Sequence, residues 1–174
     1  EIGIFQGRSL AMWSDYFPNA IINGIDINVT EFELMSSELK KIGAFSNDNL
    51  GAIGSCDSTC QVFSDLGACF KIIIDDGDHH YLSQIQTFLN YWPNLCSGGI
   101  YIIEDVYEKR AYEMEEWFNR FKNPSGISQT YKSISGVSNK DLCLIKNIKN
   151  TKVIKTKPKD NRDSNPHIIV IEKL

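Results

Sequence analysis

The chain has 174 residues, 42% of them apolar, which suits one compact domain spanning 1–174 with a full core. A formal net charge of −4 and a calculated pI near 5.4 disfavour nucleic acid as the main partner, since its backbone needs a basic face. No apolar run is long enough for a membrane span and no signal peptide is visible, so no membrane partner is expected; the unpaired cysteine spacing makes the cytoplasm the expected setting.

The chain opens on Glu1, without Met and inside the first apolar run (Glu1 to Phe5), so preceding sequence is expected to be missing. Ser9 to Phe17 follows as a helix, with Leu10, Trp13 and Phe17 at helical spacing. Ala20 to Ile27 is a strand carrying Asp26 at its end. Thr30 is placed to cap a helix whose apolar face is Phe32, Met35, Leu39 and Ile42, closed by Gly43. Leu50 to Ser55 is a weaker strand, and Ser58 to Leu66 a short helix. Phe70 to Ile74 is the clearest buried strand. His80 to Leu95 is helical through Leu82, Ile85, Leu89 and Trp92, and Cys96 to Gly99 reads as a turn. Ile100 to Ile103 is a further apolar strand, and Arg110 to Phe121 a helix through Ala111, Met114 and Phe118. Leu142 to Lys146 and His167 to Ile171 read as late strands around a polar stretch, with Lys152 to Lys159 as a solvated hairpin.

Strands that are apolar on both faces belong to a parallel sheet covered by helices. The expected fold is therefore α/β: a Rossmann-like, doubly wound, mostly parallel seven-stranded sheet with an antiparallel last strand. In such sheets ligands sit at the carboxyl ends of the strands. Five cysteines at unpaired spacing read as reduced thiols, with Cys69 and Cys96 packed as small hydrophobes. Trp13, Trp92 and Trp117 lie on apolar helix faces and read as core, with the cofactor pocket an alternative for Trp13.

Four places carry chemistry. In E-I-G-I-F-Q-G-R-S-L, Gly3 and Gly7 form a turn ahead of a helix N-terminus, where backbone approaches a ligand closely. The spacing is not G-x-G-x-x-G, which disfavours a nicotinamide dinucleotide. Asp26 ends the next strand, where an acid commonly accepts hydrogen bonds from ribose hydroxyls. I-I-I-D-D-G-D-H-H, Ile72 to His80, puts three carboxylates and two imidazoles directly after a buried strand. I-I-E-D, Ile102 to Asp105, ends the next. Neighbouring strands lie about 4.8 Å apart, so Asp76 and Asp105 can face one cation. Hard oxygen ligands suit Mg²⁺. His80 reads as solvent-facing and His167 as structural.

The stretch from Ile72 to Val106, IIIDDGDHHYLSQIQTFLNYWPNLCSGGIYIIEDV, resembles the metal-dependent sugar O-methyltransferases of macrolide biosynthesis, such as the macrocin and mycinamicin enzymes, and the cephalosporin hydroxylase-like proteins. These belong to the class I methyltransferases dependent on S-adenosyl-L-methionine (SAM). The family's D-D-G-S-H motif stands here as D-D-G-D-H, with Asp78 in place of the serine. The E-I-G start and the strand ending in Asp26 are also similar, so the resemblance spans about the first 120 residues.

The resemblance implies SAM-dependent O-methylation of a small hydroxylated, sugar-like molecule, with Mg²⁺. It implies that Glu1, Gly3, Gly7 and Ser9 border the methionine part of SAM, and that Asp26 holds the ribose hydroxyls. Ser55 and Cys56 fall beside adenine, although the family's Gly-Asp-Gln reads Gly54-Ser55-Cys56 here. Asp75 falls near the methionine amine. Asp76 and Asp105 would bind Mg²⁺ with Glu104 as a third ligand, and His79 would be the general base. A homo-oligomer also accords with the family. Two alternatives stay open: a non-catalytic SAM-binding domain, and a hydroxylase-like relative using Asp76, His79 and His80 on iron.

Overall fold

A computed structural model describes residues 1–58, 69–121, 145, 147–156 and 167–174. The chain forms two compact units, Glu1–Val62 with Asp76–Asp78, and Phe63–Asp75 with His79–Leu174.

In the first unit, helix α1 (Arg8–Tyr16) precedes strand β1 (Ile22–Asp26), helix α2 (Thr30–Lys41) and strand β2 (Leu50–Ser55). β1 and β2 pair in parallel, with Asp26 opposite Ser55. The amphipathic spacing of the two helices brings Leu10 and Ala11 of α1 together with Phe32 and Leu39 of α2, and Ile4 and Phe45 complete this core. Beneath it, the Ser14 hydroxyl donates to Asn49 Oδ1 at 2.5 Å, and the Asn49 amide donates to the carbonyls of Ser14 and Phe17. Thr30 is the first residue of α2 rather than its cap; Val29 is the N-cap, and the Asn28 side-chain oxygen accepts the Thr30 amide at 3.0 Å.

In the second unit, β3 (Phe70–Asp75) leads through α3 (Tyr81–Tyr91) and a 3-10 turn (Trp92–Asn94) to β4 (Leu95–Val106). Helix α4 (Glu108–Arg120) follows, and then β5 (Ile148–Lys155) and β6 (His167–Lys173). The sheet order is β3-β4-β6-β5. β3 and β4 are parallel, whereas β6 runs antiparallel to both β4 and β5. Phe88 of α3, fully buried, meets Tyr101 of β4 at 5.2 Å and Phe118 of α4 at 4.6 Å between ring centroids, so both helices pack over β4. Trp92 and Trp117 lie in this aromatic core, as expected.

The α/β class holds, but the seven-stranded sheet does not. Among the described residues there are six strands, in one two-stranded and one four-stranded sheet. The run from Glu1 to Phe5 contributes only a bridge from Ile2 to Ile25, because Gly3 (φ 82°) and Phe5 (φ 42°) leave the extended region. Cys96 to Gly99 is strand rather than turn. The late strand expected at Leu142 to Lys146 lies outside the described residues except for Ile145, and β5 at Ile148–Lys155 takes in the start of the stretch read as a solvated hairpin. The expected helix from Ser58 to Leu66 lies outside the described residues beyond Ser58.

The cysteines also depart from expectation. Cys69 and Cys96 form a disulfide with a Cα–Cα distance of 5.0 Å, and Cys56 is disulfide-bonded too. Phe70 stands opposite Leu95 in the β3–β4 register, so Cys69 and Cys96 flank one paired position at the strand starts. Sequence spacing carries no trace of this, because sheet pairing creates the proximity.

Candidate active site

The glycine-rich turn of the first unit is held by backbone hydrogen bonds. The Gly3 amide donates to the Ile25 carbonyl at 2.8 Å, and the Gly7 amide to the Ile4 carbonyl at 2.7 Å. Gly3 and Gly7 both have positive φ, and a Cβ on Gly3 would strike the Asp76 carbonyl. The Asp76 amide donates to the Ile2 carbonyl at 2.8 Å, fixing that approach. Asp26 braces the turn from below: one carboxylate oxygen accepts the Phe5 amide at 2.8 Å, the other the Asn28 amide at 3.0 Å. A carboxylate offers about four lone-pair sites, so half its accepting capacity remains for hydroxyls. The Cys56 amide donates to the Asp26 carbonyl at 2.7 Å, and the Ser55 hydroxyl lies 3.5 Å from the Ile27 carbonyl. Ser55 and Cys56 thus stand at the end of β2 beside the end of β1. Glu1, half-buried, begins the turn, and Ser9, half-buried, sits in the first turn of α1.

Asp75 ends β3 and is buried at 2% exposure. The Tyr101 hydroxyl donates to its carboxylate at 3.3 Å. Burial, reinforced by the Asp75 charge, holds the Tyr101 phenol well above its ordinary range. Asp75 is thereby fixed in the strand layer, and in the same unit His79 and Asp105 come together. His79 Nε2 stands 4.0 Å from an Asp105 carboxylate oxygen, and His79 Nδ1 is buried without a hydrogen-bond partner.

The local chain explains this grouping. Asp76 and His79 are three residues apart in the loop between β3 and α3. Asp105 sits in a β-bulge, where the register with β6 shifts between Ile103 and Val106, and it takes the left-handed conformation at φ 50°. Such backbone is tolerated by Asp but uncommon, and bulges re-aim side chains near functional sites. Glu104 is not part of this pair; its carbonyl accepts the Gln84 side-chain amide at 3.0 Å. His80 is also outside it, exposed at the N-cap of α3. Asp78 is exposed.

Cations at about 2.1 Å from hard oxygen ligands draw those ligands to within roughly 3–4 Å of each other. The side chains of His79 and Asp105 are 40% and 53% exposed, so small rotations close the difference. Two carboxylates fit Mg²⁺, which takes one or two and keeps its waters. One imidazole without a second does not fit the two-His, one-carboxylate iron triad.

A cavity of about 640 Å³ opens beside His79, walled by the start of α3 and one face of α4. Sequence reading took α4 only as a core helix. Arg110, Glu113, Trp117 and Arg120 recur at helical spacing, a second stripe beside the apolar one, and that periodicity was the signal available.

No family model matches the chain. It is 32% identical over 102 residues to the L-olivosyl-oleandolide 3-O-methyltransferase of Streptomyces antibioticus, covering 59% of this chain and 24% of that protein. It is 30% identical over 114 residues to the mycinamicin VI 2''-O-methyltransferase of Micromonospora griseorubida, covering 62% of this chain and 26% of that protein. The chain is a relative of these O-methyltransferases. This O-methyltransferase relative spans about a quarter of the length of the curated proteins it matches. It also shares its fold with a methyltransferase of the mycinamycin pathway solved with Mg, SAH and mycinamycin VI. That match has a TM-score of 0.61 and 19% identity, over 99% of this chain and 43% of that one. The chain thus has an α/β methyltransferase fold.

Proposed function

We propose that residues 1–174 act as one SAM-binding domain of a Mg²⁺-dependent O-methyltransferase whose acceptor is a hydroxyl on a small, sugar-like molecule. The observation that carries this reading is the pairing of His79 with Asp105, 4.0 Å apart near the ends of two adjacent parallel strands, in a relative of O-methyltransferases. When bound, SAM supplies an electrophilic methyl group and Mg²⁺ lowers the pKa of a nearby hydroxyl.

The chain's own residues then have distinct tasks. Asp26 accepts hydrogen bonds from ribose hydroxyls with the capacity left after the Phe5 and Asn28 amides. Glu1, Gly3, Gly7 and Ser9 line the methionine end, and Ser55 and Cys56 the adenine end. Asp75, locked by Tyr101, sets the strand end near the methionine amine. Asp76 and Asp105 would hold the cation. His79 takes the proton of the acceptor hydroxyl, a transfer that imidazole performs near neutral pH.

A net charge of −4 favours a small molecule over nucleic acid. Among the described residues no helix is long and apolar enough to cross a membrane. The Cys69–Cys96 bond favours an oxidising compartment over the cytoplasm expected from cysteine spacing. A homo-oligomer, as the family resemblance implies, is checked by light scattering.

Calorimetry of SAM into metal-stripped protein, with and without millimolar Mg²⁺, tests the core of the proposal. Micromolar SAM binding is expected, with an Mg²⁺ effect that Asp76→Ala abolishes. His79→Ala should retain SAM binding and lower turnover by about 10²–10⁴-fold. SAM binding without any metal effect would reduce the reading to a metal-free transferase or a binding domain, and absence of SAM binding would end it.

A further inference from the structure

We infer that the cavity along α4 is a second acceptor subsite, which takes an uncharged glycosyl unit adjoining the one that is methylated. This rests on the reading of His79 as the base facing the acceptor hydroxyl.

Position comes first. His79 both stands beside the Asp105 carboxylate and lines the cavity, so a molecule with one hydroxyl at His79 extends its remainder along α4. Size comes second. About 640 Å³ lies in the middle of the range for pockets that enclose ligands of several rings.

Charge decides the ligand class. The cavity wall carries Arg110, Glu113, Glu116 and Arg120. Arg110 pairs with Glu113 at 2.6 Å, and Arg120 pairs with Glu116. Each cation is therefore matched by its own anion on the same helix face. An anionic ligand would have to take an arginine from its glutamate and leave that carboxylate facing the ligand's charge; a cationic one meets the mirror problem. A neutral polyol meets neither, since guanidinium donors and carboxylate acceptors bind hydroxyls with the pairs intact.

The aromatic surface agrees with this. The Arg110 guanidinium lies 4.7 Å from the Tyr81 ring centroid, fixing that ring as part of the wall. Tyr107, 50% exposed, stands between the His79 end and α4. Aromatic rings with a polar tip suit ligands that have apolar faces and hydroxyl edges.

The test uses the full chain with SAH and Mg²⁺, observed by saturation-transfer NMR and by ring-proton shifts of Tyr81, Tyr107 and Trp117. The probes are four neutral methyl glycosides as mono- and disaccharides, and the same disaccharides with one ring as a uronic acid or a phosphate ester. Neutral disaccharides are expected to shift the three rings and to bind at least about fivefold tighter than the monosaccharides or the acidic forms. The double variant Glu113→Gln with Glu116→Gln, both on the exposed face, should reverse the preference toward the acidic probes, with SAM affinity unchanged. The subsite is overturned if acidic probes win in the wild type, or if no probe moves the rings while SAM still binds. Loss of SAM binding in the wild type would instead remove the methyltransferase reading beneath it.

Discussion

A methyl group placed on Gly3 would meet the Asp76 carbonyl and would come within 2.8 Å of Gly77 Cα, at a φ of 82° that side chains rarely adopt. Gly3→Ala is therefore expected to destabilise the fold by more than about 1 kcal/mol in urea titration, and to weaken SAM binding as well, because the displaced backbone is the proposed methionine wall. Tyr101 gives a pH signature. Folded Tyr101 keeps its proton above the ordinary phenol value of 10.0, whereas in the unfolded chain it ionises there. Its contribution is intact below pH 10 and lost as pH rises toward the folded value, so stability falls through that window. Denaturation midpoints between roughly pH 9 and 11 should show this slope, and Tyr101→Phe should flatten it. Much at this scale was legible in the sequence. Asp76, His79 and Asp105 stand directly after unbroken apolar strands, which puts them at a rim wherever the sheet lies. Glu104 was equally near in sequence, but only the bulge and left-handed backbone at Asp105 decide which of two adjacent acids comes forward. A pattern of residue types does not contain a dihedral angle.

Among the elements, β2 was found at its observed bounds and β3 ends one residue past its expected limit. β5 was not legible as a strand because its burial is confined mainly to Ile148 and Thr151, and lysines fill its wet face, so that Lys152 onward reads as a solvated hairpin. The partner strand β6 carries an anchor that no periodicity shows. Lys173 reaches back to donate to the Trp92 carbonyl at 2.9 Å and the Leu95 carbonyl at 2.7 Å, closing the 3-10 turn before β4, and burial lowers its pKa. Lys173→Met keeps the apolar stem and strips both donors. It should cost about 1–3 kcal/mol in thermal or chemical denaturation, while leaving SAM affinity, measured at the other end of the strands, unchanged.

For the molecule as a whole, the α/β class and the parallel pairing of β3 with β4 followed from apolar strands alternating with amphipathic helices. The strand count did not, because a run broken at Gly3 and Phe5 has strand composition without strand dihedrals. The disulfide was invisible for a different reason: Cys69 and Cys96 are 27 residues apart and meet only once the crossover has formed. A loop of that length corresponds to about 3.5 kcal/mol in the chain-entropy account. Cys96→Ser should lower the unfolding free energy by about that amount. A parallel pair must close its whole connecting segment before the first ladder bond forms, which makes such contacts slow to find. In the oxidised chain the two strand starts stay tethered even when everything else has come apart. The oxidised protein should therefore regain its fold faster than the reduced one, and how long a newly made chain spends unfolded depends on when these two thiols are joined.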